Sequence, residues 1–179
     1  MAYLKYFGVL LIMCLAGLIL LGLSTRSFEY EYEVFIPTRS DTVWHKIIRE
    51  DSLVHWFPGL KAVTIDSGIS ERAPLKMTWT IDLEGTVQKI PAELSFIDKP
   101  DTVEYVMYRP DAVKKVRWAI KPLVEKNTLI TGFYTWTPKG FFRRIMYRFN
   151  SLSLGYQDQW AMEQLRDRCK AQKRPVTEK

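Results

Sequence analysis

Cysteine and histidine are nearly absent: Cys14, Cys169, His45 and His55 are the whole complement in 179 residues. Two thiols and two imidazoles cannot assemble a disulfide framework, a zinc finger or a multi-histidine metal cage, so neither a metal nor a cofactor is expected. A glycine-rich phosphate loop and a serine-centred nucleophile elbow are missing too. Neither sign of charge dominates: 26 Lys and Arg against 20 Asp and Glu leave a net charge of +6, a mild excess that calls for no nucleic acid. What is plentiful is apolar surface. Hydrophobic residues make up 47% of the chain and aromatics 13%, enough to pack the core of one domain and to exclude disorder for most of the chain.

Charge is missing altogether between Tyr6 and Leu23, a run dominated by Leu, Ile, Val, Gly and Ala. Its length reaches the short end of the about 17 to 25 residues that a transmembrane helix needs. A cleaved signal peptide is the alternative, with Gly22 and Ser24 as small residues for a cleavage site, but its apolar region is usually only about 7 to 15 residues. Length favours an uncleaved anchor, and in both readings residues 1–25 address a membrane. Cys14 follows Leu11, Ile12 and Met13 with no small residue immediately before it, which speaks against a lipoprotein site and for a small apolar residue in lipid. Lys5 and the α-amine precede the run and Arg26 follows it, while Glu29, Glu31 and Glu33 count little in the positive-inside rule. The expected orientation has the head in the cytoplasm and the domain on the non-cytoplasmic side.

Beyond the anchor, Phe28, Tyr30, Tyr32, Val34 and Ile36 alternate with Glu29, Glu31 and Glu33, a period of two that predicts a strand with one wet face. Thr38-Arg39-Ser40-Asp41 after Pro37 reads as a capping box, opening a helix whose buried stripe is Val43, Trp44, Ile47 and Ile48. A short second helix is predicted from Asp51 to Trp56, ended by Phe57-Pro58-Gly59. Strands are then predicted at Leu60–Ile65, Leu75–Leu83, Thr86–Ile97, Thr102–Tyr108, Ala112–Ile120 and Thr128–Thr137, with Gly68, Gly85, Pro100-Asp101, Pro110-Asp111 and Lys126-Asn127 as turns. After Pro138-Lys139-Gly140, apolar residues recur at helical spacing from Phe141 through Ile145, Met146, Phe149, Leu152, Tyr156, Trp160 and Leu165 to Cys169, predicting one long helix. The polar tail after it should fray. The order is an α+β arrangement: a seven-stranded antiparallel sheet with a long C-terminal helix against its concave face. The expected division is an anchor at 1–25, a domain at 27–171 and a disordered tail at 172–179.

Ile36-Pro37 leading into Asp41-Thr42-Val43-Trp44, the turn His55-Trp56-Phe57-Pro58-Gly59-Leu60-Lys61 and a C-terminal helix ending in Leu165-Arg166-Asp167-Arg168 resemble the SRPBCC or START-like superfamily, the polyketide cyclase/dehydrase and lipid-transport type, and its membrane-anchored bacterial members in particular. The resemblance covers about residues 27–171. It implies a helix-grip fold with a cavity between sheet and helix, which in many members takes up lipids, sterols, quinones, polyketides or plant hormones. Few members are enzymes, and no shared catalytic residue carries over.

Alternation places Met77, Trp79, Leu94, Tyr105, Trp118, Tyr134 and Trp136 on one sheet face, with Tyr32 beside them and Phe149 on the helix opposite. This surface is either solid core, filled by Phe142, Met146, Phe149 and Leu152, or a pocket, since ligand sites are mainly apolar with a few polar groups. Ser151, Ser153 and Gly155 are small residues that leave room in such a pocket. Asp82, Glu93 and Glu104 fall on the opposite face and should be solvated, so no carboxylate pair converges for acid–base work. His45 and His55 are expected as surface or packing residues. Cys169, near the frayed end with no histidine nearby in sequence, is a poor nucleophile. Arg109, Lys114, Lys115, Arg117 and Lys121 form one basic stretch and Lys139, Arg143, Arg144 and Arg148 another. Both are expected on a solvated face, or, for Arg143 and Arg144 beside Phe141 and Phe142, against anionic lipid head groups.

These residues favour a membrane-anchored module binding a hydrophobic small molecule or lipid over a cyclase- or dehydrase-like enzyme, or a protein-interaction module with a filled core. An open aromatic cavity would favour the first, a buried ionisable residue in it the second, and a dry interior the third.

Overall fold

The computed structural model describes residues 2–24, 26–66, 74–83, 85–98 and 101–171. The expected turns at Gly68 and Pro100 and the tail at 172–179 lie outside the described residues. In chain order the elements are α1 (Ala2–Ser24), β1 (Phe28–Ile36), α2 (Ser40–Ile48), α3 (Glu50–Leu53), β2 (Leu60–Ile65), β3 (Leu75–Leu83), β4 (Thr86–Asp98), β5 (Thr102–Tyr108), β6 (Ala112–Leu123), a 3₁₀ turn (Val124–Lys126), β7 (Asn127–Pro138) and α4 (Phe141–Ala171). The seven strands form a single antiparallel sheet in the order β1-β7-β6-β5-β4-β3-β2. The α+β architecture expected from the pattern is the one observed.

Period-two patterning dictates which side chains go inward. The even positions of β6 from Ala112 to Ile120 and of β7, among them Val116, Trp118, Ile120, Ile130, Tyr134 and Trp136, are buried, and cross-strand pairs such as Val116 with Tyr134 lock that register. A one-residue slip would turn the whole set to water. Over this face lie α2 and α3, contributing Val43, Trp44, Ile47 and Leu53, and the C-terminal half of α4, contributing Ala161, Met162, Leu165 and Cys169. Between the helices and the sheet the aromatics interlock: Phe57 meets Trp79 edge-on at 4.8 Å, Trp79 meets Tyr105 at 5.4 Å, and Tyr105 meets Trp118 at 5.4 Å.

Helix entry differs from the expected capping box. The structure starts α2 at Ser40 without a side-chain cap. The Thr38 hydroxyl donates instead to the Cys169 carbonyl at 3.4 Å, and Thr128 donates to the Thr38 carbonyl at 2.6 Å. Asp41 pairs with Arg39 at 3.1 Å. The side chains thus tie the helix entry to the end of α4 rather than to its own free N–H groups. The second helix begins at Glu50, not Asp51, and ends at Leu53.

Cys169 is correspondingly not at a frayed end. It is fully buried, and burial pushes its thiol up to about 11. Peptide mapping after iodoacetamide treatment of the folded chain at pH 8 should find Cys169 unmodified and should find it alkylated once guanidinium is added; rapid native labelling would contradict the burial. Because the folded value lies above the ordinary 9.0, this group's contribution to stability is present below that value and lost as pH climbs through about 11.

Candidate ligand-binding cleft

Turn chemistry builds one wall of the cleft. Gly59 adopts a left-handed φ of +71°, and a Cβ there would fall 2.5 Å from the Asp82 carbonyl oxygen, so only glycine lets the Trp56-Phe57-Pro58-Gly59 turn press against β3. The Asp82 N–H donates to the Gly59 carbonyl at 2.8 Å. The opposite wall is the N-terminal half of α4, whose Tyr147 and Leu154 pack against Phe28, Ala112 and Trp136 of the sheet. Between them lies a cleft of about 740 Å³, lined by Pro58, Leu83, Met146, Leu154 and Trp160 and by the polar Gln88, Asn150 and Gln157. Among the described residues that line it, Arg109 and Arg143 stand against Asp82 and Asp111.

The cleft's rim is held by a small network. Tyr147 donates to Asp111 at 2.5 Å and Arg109 contacts the same carboxylate at 3.3 Å. Burial alone would raise the Asp111 carboxyl, but the Tyr147 hydroxyl and the Arg109 charge outweigh it and hold the group below its ordinary value.

At its inner end the cleft shares Pro58, Leu83, Arg109 and Gln157 with a further cavity of about 60 Å³, which reaches Lys114, Trp136 and Asp158. That is room for about two waters at about 30 Å³ each. Lys114 and Asp158 are ion-paired there with side chains only 7% and 4% exposed. Asp158 also accepts from the Tyr30 hydroxyl and, at 3.2 Å, from the Trp136 indole. The Lys114 ammonium lies 4.8 Å from the Trp136 ring centre. Burial pulls the Lys114 pKa below its ordinary value against the opposing pull of Asp158, and burial together with Asp158 pushes the Tyr30 hydroxyl up.

The sequence pattern puts Lys114 in a solvated basic stretch and does not single out Asp158. The signal is present in both cases. Lys114 shares its parity with Val116, Trp118 and Ile120, and Asp158 falls in helical step with Ala161, Met162, Leu165 and Cys169.

The expected cavity residues separate into three groups. Met77, Trp79, Leu94, Tyr105, Trp118 and Tyr134 are all at most 3% exposed; all lie in solid interior except Leu94, which borders a separate pocket of about 350 Å³ with Ile48, Leu75 and Phe96. The polar tips of the aromatics among them are occupied within the protein: Tyr105 donates to the Ile47 carbonyl at 2.6 Å, Trp118 to the Tyr134 hydroxyl at 3.2 Å and Trp79 to the Met77 sulfur at 2.8 Å. The donors of Tyr105, Trp118 and Trp79 are thus satisfied internally and are not left for a ligand. Trp136 alone of the expected sheet residues reaches the small inner cavity. Tyr32, Ser151 and Gly155 line a separate groove of about 540 Å³ between α4 and β1. Phe149 and Ser153 are exposed on the far side of α4, as is Phe142, while Met146 is exposed at the cleft and Leu152 at the groove along β1; the core reading uses Phe142, Met146, Phe149 and Leu152 as filling. The interior is filled instead by α2, α3 and the C-terminal half of α4.

One further expectation needs correction. Glu104 is not solvated but buried on the outer sheet face, paired with Lys115 at 3.0 Å and Arg117 at 3.1 Å. Arg143 is exposed and borders the cleft, and Arg144 is half-buried. His45 and His55 are both exposed, and among the described residues no cluster of His, Cys, Asp and Glu is fit to hold a metal ion.

Neither a protein-family model nor a curated protein sequence matches this chain. Solved structures do. A START superfamily protein from Mycobacterium smegmatis superimposes with a TM-score of 0.65 at 12% identity, covering 80% of this chain and 97% of that one. The chain has a START-like fold. The START-like domain is also similar to the Zhui aromatase/cyclase from Streptomyces sp. R1128, with a TM-score of 0.68 at 11% identity over 84% of this chain and 98% of that one. A protein from Thermus thermophilus gives 0.66 at 15% identity over 82% and 100%. At such identities the likeness carries the fold and not the chemistry. Preceding the START-like domain, residues Tyr6–Ser24 of α1 form a helix long and apolar enough to cross a membrane.

Proposed function

We propose that this chain is a membrane-anchored START-like module that holds an amphipathic small molecule or lipid in the cleft beneath the N-terminal half of α4, with the domain on the non-cytoplasmic side. The observation that carries the reading is the cleft itself. Its walls combine apolar side chains (Leu83, Met146, Leu154, Trp160) with neutral amides (Gln88, Asn150, Gln157), and the described charged residues among them, Arg109 and Arg143 against Asp82 and Asp111, are equal in number. Such a lining suits a ligand with an apolar body and an uncharged or zwitterionic polar head. The aromatic interior beside it is already full, so the ligand sits at the helix end of the grip rather than deep against the sheet.

Organic extraction of the full chain purified in nanodiscs tests this. Asn150→Trp, at an exposed position on the cleft wall, should lower the amphiphile recovered per chain about tenfold, which corresponds to about 1.4 kcal/mol of lost binding. Gly155→Trp, on the β1 side with open space at its Cβ, should leave recovery unchanged. The reverse pattern would move the site to the groove along β1, and equal recovery from all three proteins would defeat the proposal.

A second reading is favoured by one observation, the buried Lys114 with its lowered pKa at the inner end of the cleft. A lysine so tuned is a candidate proton carrier for cyclase-like chemistry on the bound molecule. Conversion of the extracted ligand by the native chain, lost in Lys114→Met, would establish it.

A further inference from the structure

The outward side of α4 carries an apolar stripe that is exposed among the described residues. Phe142, Met146, Phe149, Leu152, Tyr156 and Trp160 follow one another at intervals of three and four residues, and all are at least half exposed. At 3.6 residues per turn they occupy an arc of about 120°. That arc is centred opposite the face on which Asp158, Met162 and Leu165 meet the sheet. Arg143 projects on one flank of the arc and Arg148 on the other. From Lys139 to Gln157 the chain has four basic residues and no acid. A helix with an aromatic face edged by arginines has the make-up of one that lies in the head-group region of a bilayer.

We infer that α4 docks through this stripe onto the surface of the membrane that α1 crosses, an inference that rests on α1 spanning a bilayer. Two features single out the bilayer. First, the stripe begins where α1 ends: a Cβ on Gly22 would fall 2.5 Å from the Phe141 ring. α1 is exposed from Val9 through Leu20, so α4 leaves the anchor at its end instead of running beside it. Only residues 25–27 separate α1 from β1, a leash of about 14 Å at about 3.5 Å per step. Second, the charges match anionic head groups. In a parallel pairing of two α4 stripes Arg143 and Arg148 of one helix would instead meet those of the other. Glu29, Glu31 and Glu33 are exposed on β1, alternating with the half-buried Tyr30 and Tyr32, and Glu29 and Glu31 border the same groove as Arg148. The cleft and the groove flank α4 on its two sides, so docking would set both mouths at the lipid surface, where an amphiphile enters without crossing water.

The test uses the full chain in liposomes of phosphatidylcholine and phosphatidylglycerol, with and without bromine on the acyl chains. Five of the six tryptophans are at most 8% exposed and Trp160 alone is half-exposed. In a Trp160→Phe background, Phe149→Trp therefore puts a reporter at the crest of the stripe, away from the cleft. Phe133→Trp, on the opposite sheet face, is the control. With the helix about 5–10 Å deep in the interface, bromolipid should quench the reporter at 149 about twofold more than the control. Adding Arg143→Glu with Arg148→Glu should remove about half of that difference, since each cation lost weakens attraction to the anionic surface. Equal quenching at the two positions would overturn the inference. So would a shielded but unquenched reporter, which would mean that a second copy or another protein covers the stripe. A failed cleft reading would instead appear as missing extractable ligand with the quenching intact.

Discussion

Lys114→Met should lower the unfolding free energy by about 3–5 kcal/mol, because it leaves the Asp158 carboxylate buried without its partner. Asp158 is 3% exposed, and its remaining contacts, the Tyr30 hydroxyl and the Trp136 indole, are neutral donors that cannot replace a cation. Adding Asp158→Asn keeps an acceptor for Tyr30 and Trp136 while removing the charge, and should recover about half or more of the loss. Urea unfolding of the full chain in mild detergent, followed by circular dichroism, measures both. A small effect in the single variant would mean that water reaches the pair and that the inner cavity is part of the open cleft. The double variant also separates roles: if the pair is only a structural device, ligand recovery should survive in it, and if the pair contacts the ligand's polar head, recovery should fall while stability holds.

Trp79→Ala should be nearly as damaging, at about 3–5 kcal/mol, since it removes a fully buried ring that meets both Phe57 and Tyr105. This separates solid interior from ligand pocket. Were Trp79 the wall of a ligand cavity, truncating it would enlarge a space already open to solvent at small cost. Asn150→Trp, on the wall of the observed cleft, should change stability by no more than about 0.5 kcal/mol, as surface substitutions away from caps and cores usually do. The same unfolding experiment reads both variants, and comparable losses would erase the distinction between core and cleft.

The sheet was legible because its signals are local. Alternation in β1 through β7 names the inward residues, and turn residues such as Gly85 and Pro110-Asp111 fix where each strand stops; only ends differ, as at β6, which runs to Leu123 instead of Ile120. The long helix was legible as an element but not in its faces. Its apolar residues form two stripes, one under Met162, Leu165 and Cys169 and one through Phe142, Phe149 and Leu152. Spacing counts apolar residues without saying what covers them, so the outward stripe reads as core. Lys114 and Asp158 escape notice for a related reason. Each is judged by its charge, whereas its place in the alternation of β6 or in the turn of α4 decides its burial, and burial became possible only because each supplies the other's countercharge across 44 residues of sequence. Tertiary pairing of that kind leaves no local mark. The cleft shares this property, since it lies between α4 and the β3–β4 hairpin and depends on the glycine-permitted approach of the Pro58-Gly59 turn to β3.

Native mass spectrometry of the full chain, ejected from nanodiscs loaded with lipid from its own host, reads the cleft most directly. The chain should carry one amphiphile at stoichiometric occupancy, and Asn150→Trp should appear at the bare mass under the same conditions. A bare mass for the native chain, or an adduct equally abundant in Asn150→Trp, would contradict a ligand site beneath α4.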